Sequence, residues 1–293
     1  MHPDETELLL TLGQQAQIDA RFWFRSLKHY IYKRTPQGEL VLWVHFPFDW
    51  RVGDRRPAII FFFGGSWQVG TVEQFTRQAT YFAGRGMVAV RADYRVGSRH
   101  GATLDQCVED AKSAVRWLRQ HADELGVDPA RIVASGDSAG AYLAAATAIL
   151  PGFEAPEEDL AVSSRPNAQV LFNPPAGRLE GWAAVPTAEL AEKLYLPPYL
   201  GPDTPPMYLW FGTADKLYPP AQEFIARAQE VGCLRELDLA EGADHGYYND
   251  YLRWFLPSLY RADKFLASLW YLQGEPTVAP SQEAFLGAGS VGR

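Results

Sequence analysis

The chain has 293 residues, of which 47% are hydrophobic and 21% are charged, and its formal net charge is −8. Such a composition is ordinary for a soluble globular protein with one large core. The acidic balance, with no basic block, argues against nucleic acid as the main partner. No uninterrupted apolar run approaches the ~18 residues that a membrane span needs, so we expect no membrane partner.

The start of the chain and its two cysteines give weaker indications. "MHPDETELLL" is acidic and lacks a basic n-region, so it does not read as a signal peptide. We therefore expect a cytoplasmic protein, or a periplasmic or secreted one if a native leader was removed. Cys107 and Cys233 are isolated, and they fit neither a metal-ligand spacing nor a disulfide framework. We expect both to be small buried hydrophobes.

Strand and helix patterns alternate along the chain. Strands are predicted at 28–34, 39–47, 57–63, 86–94, 128–135, 168–173, 207–212 and 235–241. Helices are predicted at 72–86, 103–126, 138–150, 220–232 and 249–272, the last broken at Pro257. The first two strands flank the turn-like "TPQGE" and predict a hairpin. The remaining order predicts an α/β fold with a mostly parallel sheet and helices on both faces.

The domain organisation follows from the segments between these elements. We expect a single domain over 1–273 and a loosely packed tail over 274–293, which is rich in Gly, Pro and Ser. The Pro-rich stretch at about 177–206 is too long for a simple connection between two strands. Long loops in compact domains are often lids or binding loops, so we interpret it as a short cap-like insertion.

The sequence "GDSAG" at 136–140 carries the strongest chemical signal. It lies between a predicted strand and a predicted helix, as a nucleophile elbow requires. There the serine occupies a strained turn, and side chains at Gly136 and Gly140 would collide with the neighbouring strand and helix. The pattern predicts Ser138 as a nucleophile.

A serine nucleophile needs a base, and the base needs an orienting acid. Asp215 follows one predicted strand and His245 follows the last one, which gives the order Ser, Asp, His and places all three at the carboxyl edge of the sheet. His100 is the rival base, in a loop near the same edge. Asp244 is the rival acid, but its position next to His245 should point it elsewhere.

With "FFFGGSW" and "RADYR" upstream, "GDSAG", "FGTAD" and "GADHGYYN" resemble the α/β-hydrolase superfamily. The closest likeness is to hormone-sensitive-lipase-like carboxylesterases and their acetylxylan and feruloyl esterase relatives. The resemblance implies an α/β-hydrolase fold and an oxyanion hole of the N–H groups of Gly64, Gly65 and Ala139. No metal site or phosphate-binding glycine motif is apparent in the sequence, so we expect no cofactor or metal. The family's H-G-G-G loop has Phe63 for its His and Ser66 for its third Gly here, so other groups must fix this loop.

The expected activity is serine carboxylic-ester hydrolysis through an acyl-enzyme, most simply the removal of acetyl groups from carbohydrate esters. The expected partner is a small-molecule or oligosaccharide ester, and a homo-oligomer stays open. Candidate substrate-binding residues near the predicted opening are Ser66, Trp67, Tyr142, Trp182, Tyr218 and Tyr247. A feruloyl esterase or a serine peptidase on the same fold is the alternative. A receptor-like binding protein is the non-enzyme alternative, although such a protein would be expected to lack His245.

Overall fold

The computed structural model describes residues 27–249 and 251–278. Its strands are β1 Leu27–Thr35, β2 Gly38–His45, β3 Arg56–Phe62, β4 Val88–Ala92, β5 Val127–Asp137, β6 Ala168–Phe172, β7 Met207–Gly212 and β8 Leu234–Ala240. Its α-helices are α1 Thr76–Gly84, α2 Gly97–His100, α3 Leu104–Gln120, α4 Ala122–Leu125, α5 Ala139–Ile149, α6 Ala188–Lys193, α7 Gln222–Glu230 and α8 Leu256–Ser268. The predicted start of the domain and most of the predicted tail lie outside the described residues.

The described strands form one sheet of eight, in the order β1-β2-β4-β3-β5-β6-β7-β8. The β1–β2 pair is the predicted antiparallel hairpin, and β2 also runs antiparallel to β4. All other neighbours are parallel, which confirms the mostly parallel sheet. The carboxyl ends of the six strands β3 to β8 therefore share one edge, where the loops that follow them can meet.

The sheet separates two apolar layers, and β3 shows why its sequence has no polar face. Ile59 and Phe61 pack into the layer that contains residues of α1 and α8. Ile60 and Phe62 pack into the opposite layer with α3 and α5. Because successive side chains of a strand point to opposite faces, a strand covered on both sides must be apolar throughout. The continuous run at 57–63 is therefore explained.

Local signals set several helix boundaries. A capping box between Thr103 and Gln106 begins α3, and Gly126 ends the following short helix with a φ of +64°. The predicted break at Pro257 is instead the start of a helix, because Pro257 lies in the first turn of α8, directly after a π-helical segment at Tyr251–Phe255. Proline suits the first turn, where its missing N–H would have no partner in the helix.

The predicted insertion at 177–206 contains only the short helix α6 and a 3-10 turn at Pro197–Tyr199. It packs into the same apolar layer as α3 and α5, through Leu179, Leu194 and Leu196 among others. Within residues 27–249 and 251–278, no helix has the length and apolar character of a membrane span. In the same ranges, no three His, Cys, Asp or Glu side chains cluster as metal ligands would.

Candidate active site

Ser138 occupies the turn between β5 and α5 in a strained conformation. Its φ is +50° and its ψ is −122°, and its N–H donates to the Phe172 carbonyl at 2.8 Å. Non-glycine residues rarely adopt positive φ, and such strain is concentrated at functional sites. A Cβ at Gly140 would collide with the Phe62 carbonyl of β3, so helix and strand can cross here only through glycine. The local geometry is that expected of a nucleophile elbow.

Asp215 and His245 meet in the loops after β7 and β8. His245 Nδ1 lies 2.8 Å from Asp215 Oδ2, and since a carboxylate only accepts hydrogen bonds, Nδ1 carries the proton. The Asp215 side chain is fully buried, whereas the His245 side chain is 38% exposed. This tautomer leaves His245 Nε2 unprotonated, as a general base requires.

The two rivals from the sequence have other partners. Asp244 Oδ1 accepts the backbone N–H of His245 at 2.7 Å, so this carboxylate holds the loop backbone. His100 Nδ1 accepts the N–H of Val96 at 3.0 Å and closes a local turn. Of the two acids, only Asp215 is hydrogen-bonded to the imidazole.

The charges around this pair set its pKa values. Burial would raise the pKa of Asp215, but hydrogen bonds from His245, from the Leu217 N–H and from Asn173, together with the charge of His245, hold it below its ordinary value. Burial would lower the pKa of His245, but the hydrogen bond and charge of Asp215, with smaller contributions from Asp137 and Asp244, raise it. Both pKa shifts mean that the charged imidazolium–carboxylate pair is stabilised. This pair forms when His245 takes up a proton.

The loop after β3, residues 63–67, lies directly against the nucleophile. A Cβ at Gly64 would come within 3.3 Å of Ser138 Cβ. The Tyr94 hydroxyl donates to the Phe63 carbonyl at 2.7 Å, and the Trp67 indole N–H donates to the Ala139 carbonyl at 3.1 Å. The Phe63 ring also stacks on Tyr94, with ring centroids 4.1 Å apart. These contacts fix a loop that lacks the family's histidine.

The predicted role of Gly64 in the oxyanion hole needs correction. Its N–H donates to Gln74 Oε1 at 2.6 Å and is therefore occupied. The N–H groups of Gly65 and Ser66 have no hydrogen-bond acceptor among the described residues. The Ala139 N–H begins α5, where helix geometry supplies no acceptor. Residues 65, 66 and 139 therefore have backbone N–H groups without an acceptor among the described residues.

Three of the six predicted substrate-binding residues are too buried to touch a substrate in this structure. Trp67 and Tyr142 are 0% exposed, and the Tyr142 hydroxyl donates to the Leu194 carbonyl. Tyr247 is also buried, in the opposite apolar layer beside Trp254. The prediction that these three rings bind substrate is therefore wrong for this structure, in which they pack in the apolar layers. Ser66 is exposed, and Trp182 and Tyr218 are half-buried, so these three are accessible.

Two residues at the site escaped the sequence reasoning. Asn173, directly after β6, donates from Nδ2 to Asp215 Oδ2 at 2.6 Å and has a φ of +51°. A polar residue just past a buried strand was a usable signal, because β6 neighbours β7, and Asp215 lies in the loop after β7. Gln74 lies in a 3-10 turn at Val72–Phe75, where the surrounding pattern predicted only a helix. Nothing in its local sequence marks its contact with Gly64.

Comparisons with known proteins show the family to which the chain belongs. The BD-FAE family model matches residues 50–173. The carboxylesterase NlhH of Mycobacterium tuberculosis is 26% identical over 221 residues, 68% of each chain. Esterase 2 of Thermogutta terrifontis, solved after phosphorylation by paraoxon, is 44% identical with a TM-score of 0.80 and is matched over 97% of its chain and 86% of this one. The chain is a hormone-sensitive-lipase-like esterase of the α/β-hydrolase superfamily.

Membership of this family establishes the general type of reaction. The chain is a carboxylesterase that acts on small-molecule esters, and its fold is that of the α/β-hydrolases. The receptor-like alternative is thereby displaced, because the related chains are ester-hydrolysing enzymes. The same Thermogutta esterase has also been solved with propionate and with butyrate bound.

Proposed function

We propose that the carboxylesterase reaction uses Ser138 as nucleophile, His245 as general base and Asp215 as the group that orients the base. The observation that carries this proposal is the 2.8 Å contact of His245 Nδ1 with the buried Asp215 carboxylate, at the sheet edge where Ser138 occupies a strained turn. Such a base–orienter pair is how a weak serine nucleophile is activated.

The reaction then proceeds in two acyl transfers. Ser138 Oγ attacks the ester carbonyl carbon, and its proton passes to His245 Nε2. The carbonyl oxygen becomes an oxyanion held by the N–H groups of residues 65, 66 and 139. When the tetrahedral intermediate collapses, the alcohol leaves with the proton from Nε2, and the acyl group stays on Ser138. A water, deprotonated by His245, attacks this ester and releases the acid.

Short acyl groups on polar alcohols are the proposed substrates, with acetylated carbohydrate as the first choice. The inserted segment at 177–206 has a single short helix rather than an extended apolar lid. Half-buried Trp182 of this segment packs edge-on against Trp67, the residue after Ser66, with ring centroids 5.1 Å apart. The bound propionate and butyrate of the Thermogutta esterase are acids of similarly short chains. Ser66 offers an exposed hydroxyl for a polar alcohol.

Labelling and hydrolysis of matched esters test the proposal. Paraoxon should phosphorylate the wild-type chain at Ser138, seen by mass spectrometry of the intact protein and of its peptides. Ser138→Ala should take up no phosphoryl group and should lose at least about 10⁴-fold in kcat for p-nitrophenyl acetate. Undiminished hydrolysis by Ser138→Ala would contradict the assignment.

The substrate class is tested separately with the wild-type protein. In p-nitrophenyl esters from acetate to octanoate, kcat/KM should be highest for acetate to butyrate and should fall at octanoate. Acetylated oligosaccharides should be better substrates than feruloylated ones. A preference for octanoate would refute the short-acyl proposal, and a preference for feruloyl esters would replace the acetyl proposal. Neither result would affect the proposed roles of Ser138, His245 and Asp215.

A further inference from the structure

One glutamine side chain joins the three loops that make up the active site. Gln74 Oε1 accepts the Gly64 N–H of the loop after β3 at 2.6 Å. Gln74 Nε2 donates to Asp137 Oδ2, next to the nucleophile, at 2.9 Å, and also lies 3.2 Å from the Tyr248 hydroxyl. Tyr248 is fully buried three residues after His245. The amide therefore contacts the loop at 63–67 (the oxyanion loop), the turn at 136–140 (the nucleophile turn) and the loop that contains His245.

The chemical types of these partners suit a carboxamide in particular. The Gly64 N–H can only donate a hydrogen bond, and the ionised Asp137 carboxylate can only accept one. The side chain between them must therefore accept at one end and donate at the other. Glutamine does both without charge. An ionised glutamate would repel Asp137, and a methionine of similar shape would make neither hydrogen bond.

Space is tight enough for this contact to matter. A Cβ at Gly64 would lie 2.7 Å from Asp137 Oδ2 and 3.3 Å from Ser138 Cβ, so the loop backbone touches both. The N–H groups proposed to hold the oxyanion belong to the next two residues, 65 and 66. A shift of Gly64 would therefore move these donors relative to Ser138, and catalysis is sensitive to such displacements on the scale of 1 Å.

We infer that Gln74 is a positioning residue of the esterase, one that sets the oxyanion loop against the nucleophile turn by bridging the Gly64 N–H and the Asp137 carboxylate. This inference rests on the proposed function of Ser138 and its oxyanion donors. Gln74 takes over the fixing of a loop in which Phe63 stands where related enzymes have histidine. It acts through Gly64 and does not touch the substrate.

The first test compares two buried or half-buried glutamines one helical turn apart. Gln74→Met removes the hydrogen bonds to Gly64, Asp137 and Tyr248 at nearly constant volume. It should lower kcat for p-nitrophenyl acetate by about 10- to 100-fold, with KM changed less than about threefold. Gln78→Met is the matched control, because Gln78 is 3% exposed on α1 and its Oε1 has no hydrogen-bond partner among the described residues. It should keep kcat within about threefold.

The second test measures how kcat/KM depends on pH, which a purely structural role of Gln74 would leave unchanged. Gln74→Glu keeps the acceptor for Gly64, and when the Glu–Asp137 pair holds one shared proton it also restores the donor. The ratio of its kcat/KM to that of the wild type should therefore rise as pH falls from about 8.5 to 5.5. The corresponding ratio for Gln74→Met should vary less than that for Gln74→Glu, because methionine adds no titratable group and only Asp137 itself titrates there.

Two outcomes would overturn the inference: a Gln74→Met protein with kcat within about twofold of wild type, or a Gln74→Glu ratio that does not vary with pH. Circular dichroism and the melting temperature establish that each variant is folded, and Gln74→Glu supplies the test if Gln74→Met does not fold. Ser138→Ala is measured in parallel. If it stays active, the proposed function fails; if it is inactive while Gln74→Met is unaffected, only the role of Gln74 fails.

Discussion

The nucleophile turn and the oxyanion loop touch each other, but they are held in place by different means. Residues 136–140 are held by their own backbone, because glycines let strand β5, helix α5 and β3 pass closely. Residues 63–67 are held by side chains, namely those of Tyr94 and Gln74 and the loop's own Trp67. A five-residue motif can therefore describe the first structure completely, whereas the second depends on residues elsewhere in the chain.

His245 belongs with the second kind, because a side chain from another loop orients it. Asp215→Asn should lower kcat by about 10⁴-fold, since an amide can donate to Nδ1 and favour the wrong tautomer. Asp244→Asn should stay within about tenfold of wild type, because Asp244 accepts the backbone N–H of His245 and not the proton of its imidazole. Steady-state kinetics on p-nitrophenyl acetate measure both. Equal losses in the two variants would contradict the selective role of Asp215.

Asp137 belongs to the nucleophile turn and is hydrogen-bonded to Gln74, which also holds the oxyanion loop. Burial of its charged carboxylate lowers the stability of the folded protein. Burial raises its pKa to about 6, although the His245 charge and hydrogen bonds from Gln74 and Tyr248 partly oppose this. Because the folded pKa lies above the unfolded value of about 3.9, the contribution of Asp137 to stability is full below pH ~4 and is lost as pH rises through 6.

Asp137→Asn keeps an acceptor for Gln74 and removes this titration. Its free energy of unfolding should match that of wild type near pH 4 and exceed it by about 2–3 kcal/mol at pH 8. Urea unfolding at the two pH values measures the difference. A difference that is independent of pH would show that the Asp137 carboxyl does not titrate in this range.

The smallest effect on kcat is expected for a substitution of Trp67, a side chain that holds the oxyanion loop against the nucleophile turn. Trp67→Phe removes the hydrogen bond to the Ala139 carbonyl and should lower kcat by about 5- to 10-fold, the equivalent of about one hydrogen bond. Trp50→Phe is the control, because its indole N–H makes a similar bond to the Leu125 carbonyl, 2.8 Å away, near the amino end of β5. It should lose comparable stability but keep kcat. Equal kcat losses would mean that the Trp67 contact serves stability alone.

Local sequence patterns are enough to predict the strands, the longer helices and their order. Alternating apolar runs and helical stripes are local patterns, so the parallel sheet, the β1–β2 hairpin and the apolar strand β3 were predictable from them. Gly-Asp-Ser-Ala-Gly between a strand and a helix also predicted the strained turn at Ser138, because the glycines that permit it lie within the motif. The positions of Asp215 and His245 after strands predicted their meeting at one edge.

The groups that these residues contact depend on tertiary packing and could not be predicted from local patterns. Gln74 is 63 residues from Asp137 and 174 from Tyr248, and no periodicity or motif encodes such a bridge. The same applies to Asn173 beside Asp215, to the occupied N–H of Gly64, and to the burial of Trp67, Tyr142 and Tyr247. Apolar periodicity reports which face of an element is covered, whereas a hydrogen bond between distant side chains exists only once packing has placed its donor and acceptor within about 3 Å.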